Sequence, residues 1–419
     1  MNLRTATATD VNQKIVLVRT DYNVPLQKKG ASYVVSEPQR ILDSIPLLQF
    51  LIKNQAKIIL MSHLGRPKGE INLKFSLKPV AQYLKNSQDL PVKFVETSIG
   101  PEVTKAVAEL NPGEILLLEN LRFYVEEKKN EPKFAQQLAS LADVYINEAF
   151  STCHRADASI EAITHYLPSF AGPHLQSEVR NLSRIMVNPK HPFVMIIGGA
   201  KISTKIEAVQ NLYPIADIVL VGGGVANNFL KAEGIETHKS VLEEELDTKT
   251  KKLTYLDLAS QIVKENKTEK ILKDGYIPLP KILTPIDVVA ARTIDSTATE
   301  IIDLSTGMAD TPHDKNLQYF DIGPKTIKLF TDLIMQAKTI FWTGPIGVFE
   351  KKPFTTGTKA IAKAMAQSDA ETFIGGGDTI AAANQFGYGA KFDYASSAGG
   401  ASLEFLSGKK LPGLQVLQA

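Results

Sequence analysis

Short apolar runs alternate with longer stretches of helical periodicity along almost the whole chain. In the first half, β-branched and apolar runs at 14–18, 57–61, 92–95, 114–118 and 143–146 predict strands. Between the first two, Ile41, Ile45, Leu48, Leu51 and Ile52 recur at helical spacing, which predicts a helix over 41–53 with Pro38 in its first turn. In the second half the runs fall at 193–197, 218–221, 281–290, 339–342, 372–374 and 392–397. Leu175, Val179, Leu182 and Met186 predict an amphipathic helix over 174–187, ended by Asn188 and Pro189 and about 20 Å long. The segment 241–273 is rich in Lys and Glu and reads as a solvated helical face, with 274–280 as a loop. Strands alternating with helices predict an α/β chain built on doubly wound parallel sheets. The expected division is 1–173, a hinge helix over 174–189, and 190–402.

Composition narrows the function classes. At 419 residues the chain exceeds one ordinary core, so two domains are expected. The balance of 44% apolar and 22% charged residues is that of a globular enzyme. A net charge of +2 argues against nucleic-acid or membrane-surface partners, and no run reaches the roughly 20 apolar residues of a membrane span. The single cysteine, Cys153, excludes an internal disulfide and a cysteine metal cluster. The first residues carry no apolar signal segment, so a cytoplasmic setting is expected; a monomer is the expected state.

Ligands of doubly wound sheets bind beyond the carboxyl ends of the strands. At that edge of the first half stand Arg19-Thr20-Asp21-Tyr22-Asn23, Ser62-His63-Leu64-Gly65-Arg66, Glu119-Asn120-Leu121-Arg122 and the run 147–155 ending in His154-Arg155. Arginine or histidine thus follows four of five predicted strands in a nearly neutral chain. Guanidinium forks suit phosphate and carboxylate, so this half is read as the holder of a small, multiply anionic molecule. Arg40 lies near a helix start, where the helix dipole disfavours a cation, which suggests another purpose for it.

The second half carries a different chemistry. Its strands end in Gly198-Gly199-Ala200-Lys201, Gly222-Gly223-Gly224, Thr343-Gly344-Pro345, Gly375-Gly376-Gly377-Asp378-Thr379 and Ala398-Gly399-Gly400. Glycines there let backbone N–H groups approach phosphates. Lys201 and Lys205, four apart, would share one face of the helix opening after the first of these strands. Asp378 is the best-placed Mg²⁺ carboxylate. Neither a Walker A pattern nor a Gly-x-Gly-x-x-Gly closing a first strand is present, which weighs against P-loop ATPases and nicotinamide enzymes.

The stretches 19–25, 62–68, 118–123, 198–205, 321–325, 342–350 and 375–379, taken together and in order, resemble phosphoglycerate kinases over nearly the whole chain. The resemblance implies two Rossmann-like domains, the first for 3-phosphoglycerate or its acyl phosphate and the second for Mg-ADP or Mg-ATP, with residues 403–419 packing back on the first. It implies that Asp21, Asn23, His63, Arg66, Arg122 and Arg155 hold the glycerate, and that Arg40 and Lys201 attend the transferring group. On the same basis Gly199, Ala200, Lys205, Gly223, Phe320, Pro345, Gly376, Gly377 and Thr379 line the nucleotide, Glu350 bonds its ribose and Asp378 holds Mg²⁺. Departures from the family pattern are Thr343 for asparagine, Tyr319-Phe320 for Gly-Leu, Ser397-Ala398 for Thr-Gly, Glu148 for aspartate and Asp157 for histidine. The implied reaction is reversible phosphoryl transfer between 1,3-bisphosphoglycerate and ADP, a glycolytic step. A carboxylate or phosphate nucleophile has no proton to lose, so no general base is required, and water is kept out by closure about the hinge. The competing readings are a dehydrogenase, which would need the dinucleotide fingerprint, and a binding protein that closes on an anion without turnover.

Overall fold

The computed structural model describes every residue except 31, 247–251, 266–279 and 306–313. The chain divides into two compact units, Met1–Arg180 with Lys410–Ala419, and Asn181–Lys409. The division falls inside the helix Pro173–Val187.

The first unit is built on a six-stranded parallel sheet in the order Val92–Phe94, Ile115–Leu117, Lys57–Met61, Ile15–Arg19, Val144–Asn147, Ser169–Ala171. Its central strands are buried on both faces, which explains why they read as continuous apolar runs. Val16, Val18, Ile58, Leu60 and Ile146 pack on one side; Leu17, Ile59, Met61 and Tyr145 pack on the other. The edge strand Ser169–Ala171 and the antiparallel hairpin Leu26–Lys29 with Ser32–Val35 are additions to the predicted set. The predicted helix over 41–53 is two helices, Gln39–Leu42 and Ile45–Lys53. Pro46 lacks the N–H that would continue the first, so Pro38 opens only the short one and Arg40 lies in that short helix. The chain's last residues are sewn to this unit. Gly413 N donates to Cys153 O (3.0 Å), Arg4 N donates to Leu417 O (2.9 Å), and Leu414 and Leu417 are fully buried.

The second unit holds a six-stranded parallel sheet in the order Ile282–Leu283, Ile218–Val221, Phe193–Ile197, Thr339–Thr343, Glu371–Gly375, Tyr394–Ser396. The strand predicted over 281–290 is broken at Pro285. Ile282–Leu283 joins the parallel sheet, and Asp287–Ala291 centres a separate antiparallel sheet with Glu300–Asp303 and Gln318–Ile322. The charged segment 241–273 is not simply a solvated face. Its helix Tyr255–Glu265 buries Tyr255, Leu258, Ala259 and Ile262. The predicted loop over 274–280 lies outside the described residues apart from Pro280. Gly400–Leu406 belongs to this unit, where Asn211 Nδ2 donates to Leu406 O (2.6 Å).

Two buried carboxyls mark how these units respond to pH. Glu148 accepts from the backbone N–H of His174 at the start of the helix Pro173–Val187 (3.1 Å), and burial pushes its pKa up to about 8. Asp321 accepts from Gly357 N (2.8 Å) and Ile322 N (2.9 Å), and burial pushes it up to about 7. Both hold their protons in the folded chain at pH values where the unfolded chain has released them. Stability is therefore fully present below the ordinary carboxylate range and is lost as pH rises toward 8. Thermal melts from pH 5 to 8.5 should show this decline, and Glu148→Gln should flatten it by about 2–4 °C per kcal/mol of relieved strain. An unchanged slope in the variant would remove Glu148 as its source.

Candidate active site

In the first unit, strand ends gather one cationic cluster around His63. Arg19 ends Ile15–Arg19 and is wholly buried. Its Nε donates to Ser159 Oγ (2.8 Å), Nη1 donates to Thr20 O, and Nη2 meets His63 Nδ1 (3.2 Å) and lies 3.9 Å from Glu127. A guanidinium only donates, so His63 Nδ1 accepts and the ring proton sits on Nε2. Burial, then the fields of Arg19, Arg122, Arg155 and Arg40, holds the His63 pKa well below its ordinary value. His63 is thus a neutral donor through Nε2 at neutral pH.

The other residues are fixed around it. Asp21 Oδ2 accepts from Arg40 Nη1 (2.7 Å) and from Ser151 Oγ, and Arg40 Nη1 also reaches Asn23 O (3.4 Å). Asn23 Oδ1 accepts from Gly65 N (2.8 Å). Asn120 Oδ1 caps the short turn Leu121–Phe123 by accepting from Arg122 N (3.0 Å), while its Nδ2 donates to Leu64 O (2.7 Å) and Phe75 O (2.8 Å). Arg122 Nη1 donates to Gly65 O (2.6 Å), but its Nε and Nη2 are buried with no acceptor. Burial and the neighbouring Arg155 and Arg19 push Arg122 down to about 10, still cationic at neutral pH. Arg155 Nε donates to His154 Nε2 (2.9 Å). Guanidinium nitrogens left without an acceptor in a cationic cluster suit an oxyanion partner. Asp21, Asn23, Arg40, His63, Arg122 and Arg155 therefore share one site; Arg66, next to Gly65, is exposed.

In the second unit the glycine edges divide into two kinds. A Cβ on Gly198 would lie 2.2 Å from Pro345 O, one on Gly344 2.1 Å from Gly198 O, and one on Gly224 2.4 Å from Ala200 O. These glycines let the strand ends pack backbone to backbone, with Gly199 N donating to Pro345 O (2.6 Å) and Gly198 N to Thr343 O (2.9 Å). Gly223, at φ +60°, would likewise place a Cβ 2.9 Å from Gly199 O. Gly377, Gly399 and Gly400 instead face open space. Gly377 opens the helix Gly377–Gln385, so its first turn presents free N–H groups beside the exposed Asp378.

Lys201 and Lys205 do not lie along one helix. Lys201 precedes the short turn Ile202–Thr204, and Lys205 precedes the helix Ile206–Leu212. Lys201 is exposed; Lys205 is half-buried, its pKa lowered by burial against the opposing fields of Asp378 and Glu243. Glu243 Oε2 and Oε1 accept from Ser203 N and Oγ (both 2.8 Å), which clamps the turn between the lysines.

The Thr379 hydroxyl is engaged in the backbone. It accepts from Gly344 N (2.7 Å) and donates to Gly375 O (2.8 Å), so its hydrogen is not available to a phosphate oxygen. Phe320 packs on Phe354 (centroids 4.8 Å) and with Tyr319, Gly223 and Pro285 lines a narrow cleft. Tyr319 OH donates to Glu236 O (2.9 Å), holding its ring in that lining. Ala200 and Glu350 are exposed. Among the described residues no three carboxylate, histidine or cysteine side chains gather as a metal site. A lone exposed carboxylate beside open N–H groups fits Mg²⁺, an ion that keeps phosphate oxygens and waters as most of its ligands. Asp378 is the residue that would hold it.

Three contributors have roles that the local sequence does not show. Arg19 stands among the strand-end arginines but is locked inside the unit. Glu243 and Asn120 act across 40 and 56 residues of chain, on Ser203 and Leu64.

Known proteins are similar to this chain over nearly its whole length. A family model for phosphoglycerate kinase matches residues 6–409. Phosphoglycerate kinases of Moorella thermoacetica and Koribacter versatilis are 43% and 44% identical, each over 97% of this chain and 97% of the relative. The solved phosphoglycerate kinase of Coxiella burnetii superposes with a TM-score of 0.80 at 37% identity, over 97% of both chains. That of Pyrococcus horikoshii superposes at 0.79 and 30% identity, over 97% of this chain and 96% of the other. With matches spanning both units and both clusters, the chain belongs to the phosphoglycerate kinase family of phosphotransferases.

Proposed function

We propose that the chain transfers a phosphoryl group reversibly between 1,3-bisphosphoglycerate and ADP, giving 3-phosphoglycerate and ATP. The observation that carries this reading is the pair of complementary half-sites: a cationic cluster with open Arg122 donors in one unit, open helix N–H groups with Asp378 and Lys205 in the other. Arg122, Arg155 and His63 Nε2 hold the glycerate anion, with Asp21 and Asn23 orienting Arg40 and Gly65. Lys205 and the N–H groups at Gly377–Thr379 hold nucleotide phosphates; the cleft at Phe320 takes the base, and Glu350 the ribose. Gly199, Ala200, Gly223, Pro345 and Gly376 shape the phosphate-facing backbone. Mg²⁺ at Asp378 would neutralise charge on those phosphates.

The attacking group is a carboxylate or phosphate oxygen that carries no proton, and His63, neutral and donating, is suited to binding rather than to proton abstraction. The protein's task is to position and neutralise, with Arg40 and Lys201 attending the group in flight. Exchange between ligands held by separate units calls for their closure during turnover, which also protects the acyl phosphate from water.

A coupled assay of ADP formation from ATP and 3-phosphoglycerate tests the reading directly; folded protein without turnover would overturn it. Arg122→Ala should raise KM for 3-phosphoglycerate by about 1.5–3 kcal/mol, the worth of a hydrogen bond to a charged group. A rise in KM for ATP instead would move Arg122 out of the glycerate site.

A further inference from the structure

One buried charge in the first unit has no part in the reaction as described. Asp157 is only 3% exposed, and its Oδ2 is sealed from solvent with no donor. It stands on the loop between Arg155 and Ser159, whose hydroxyl links Glu127 (2.6 Å) to Arg19 (2.8 Å). The loop is rigidly held: Ala158 N donates to Glu127 O (2.8 Å), and Ile160 N and Glu161 N both donate to Asp157 O (2.9 Å). In the same unit Arg122 has two buried nitrogens, Nε and Nη2, without an acceptor. Asp157 acts on it through space, opposing the loss of its proton, and it acts unfavourably on Glu127. Two unmatched groups of opposite charge are thus buried in one cluster without a hydrogen bond between them.

We propose that Asp157 is a built-in competitor for Arg122, a positioning residue that weakens the hold of the cationic cluster on its anion. The inference rests on the glycerate assignment of this cluster. In the free protein the Asp157 carboxylate balances part of the charge of Arg122, which keeps that guanidinium compatible with burial. When an anion binds at the cationic cluster beside Arg122, the same carboxylate repels it, because a buried charge is poorly screened. Binding is thereby held below what the arginines alone would give, and release of the bound anion is quickened. Because the Oδ2 atom is sealed and the loop is pinned by backbone bonds, this influence is exerted by charge rather than by a movement.

The experiment is calorimetric titration of 3-phosphoglycerate into the full-length protein, its Asp157→Asn variant and its Asp157→Ser variant, with steady-state kinetics alongside. Both variants should bind tighter, by about three- to thirtyfold at an effective dielectric near 20, with KM for 3-phosphoglycerate lowered and KM for ATP unchanged. The gain should shrink little with added salt, since the interaction is buried. A merely structural Asp157 predicts lowered melting temperature and equal or weaker binding, and that result in either folded variant overturns the proposal. If the unmodified protein binds no 3-phosphoglycerate, the glycerate assignment itself has failed. If it binds and the variants do not bind tighter, only the role of Asp157 has failed.

Discussion

Arg40→Ala should lower kcat by about 10²–10³-fold, a transition-state loss of about 2.7–4 kcal/mol by analogy with removing one preorganised donor to a developing charge. Arg40 is held in place from two sides. It sits in the short helix Gln39–Leu42 and is clamped by Asp21 through a 2.7 Å bond, yet its side chain keeps 31% exposure. Its field reaches His63, so it belongs to the same cluster as Arg122 and Arg155. Asp21 is itself braced by Ser151, and Asn23 by Gly65. Because those neighbours do not depend on Arg40 for their own placement, KM for 3-phosphoglycerate should change far less than kcat. Single-turnover rates with saturating substrates would check this; a variant with kcat near that of the parent would remove Arg40 from the transferring group. Arg40→Lys keeps the charge but not the fork, and should recover little if the geometry of the guanidinium matters.

Much of the parallel architecture was legible because strands buried on both faces must be apolar throughout, as in Ile58–Met61 and Phe193–Ile197. The elements that escaped lack that signature. Leu26–Lys29 is largely exposed, Glu300–Asp303 carries one buried residue, and Ser169–Ala171 is too short for a period. At the site, the strand-end arginines announced an anion, but the sequence could not separate Arg122, with open donors, from Arg19, whose donors are engaged within the fold. That distinction depends on Ser159, 140 residues away. The glycine edges show the same limit. Gly198 and Gly377 look alike in sequence, yet one is there for backbone packing and the other faces open space. The lysine pair failed as a helix-face reading because a short turn intervenes, pinned by Glu243 from a segment whose charge suggested only solvent.

Arg19 carries the largest stability effect expected here. Its guanidinium and the Glu127 carboxylate are both fully buried, 3.9 Å apart, and bridged by the Ser159 hydroxyl. Arg19→Met fills similar volume but leaves Glu127 without a cation, so it should cost about 3–5 kcal/mol in urea denaturation at neutral pH. Burial already raises the Glu127 pKa, and Arg19 is the principal influence opposing that rise. Removing the arginine should let Glu127 keep its proton to higher pH. The variant's stability should then fall more steeply than the parent's as pH rises above the ordinary carboxylate range. Arg19→Met combined with Glu127→Leu removes both charges and should recover much of the loss, so the double variant is less destabilised than the sum of the two single changes. The fold would thus be restored without the anchor that holds His63 Nδ1, and KM for 3-phosphoglycerate should stay raised in the double variant. Recovery of stability without that kinetic defect would show that Arg19 serves the core alone.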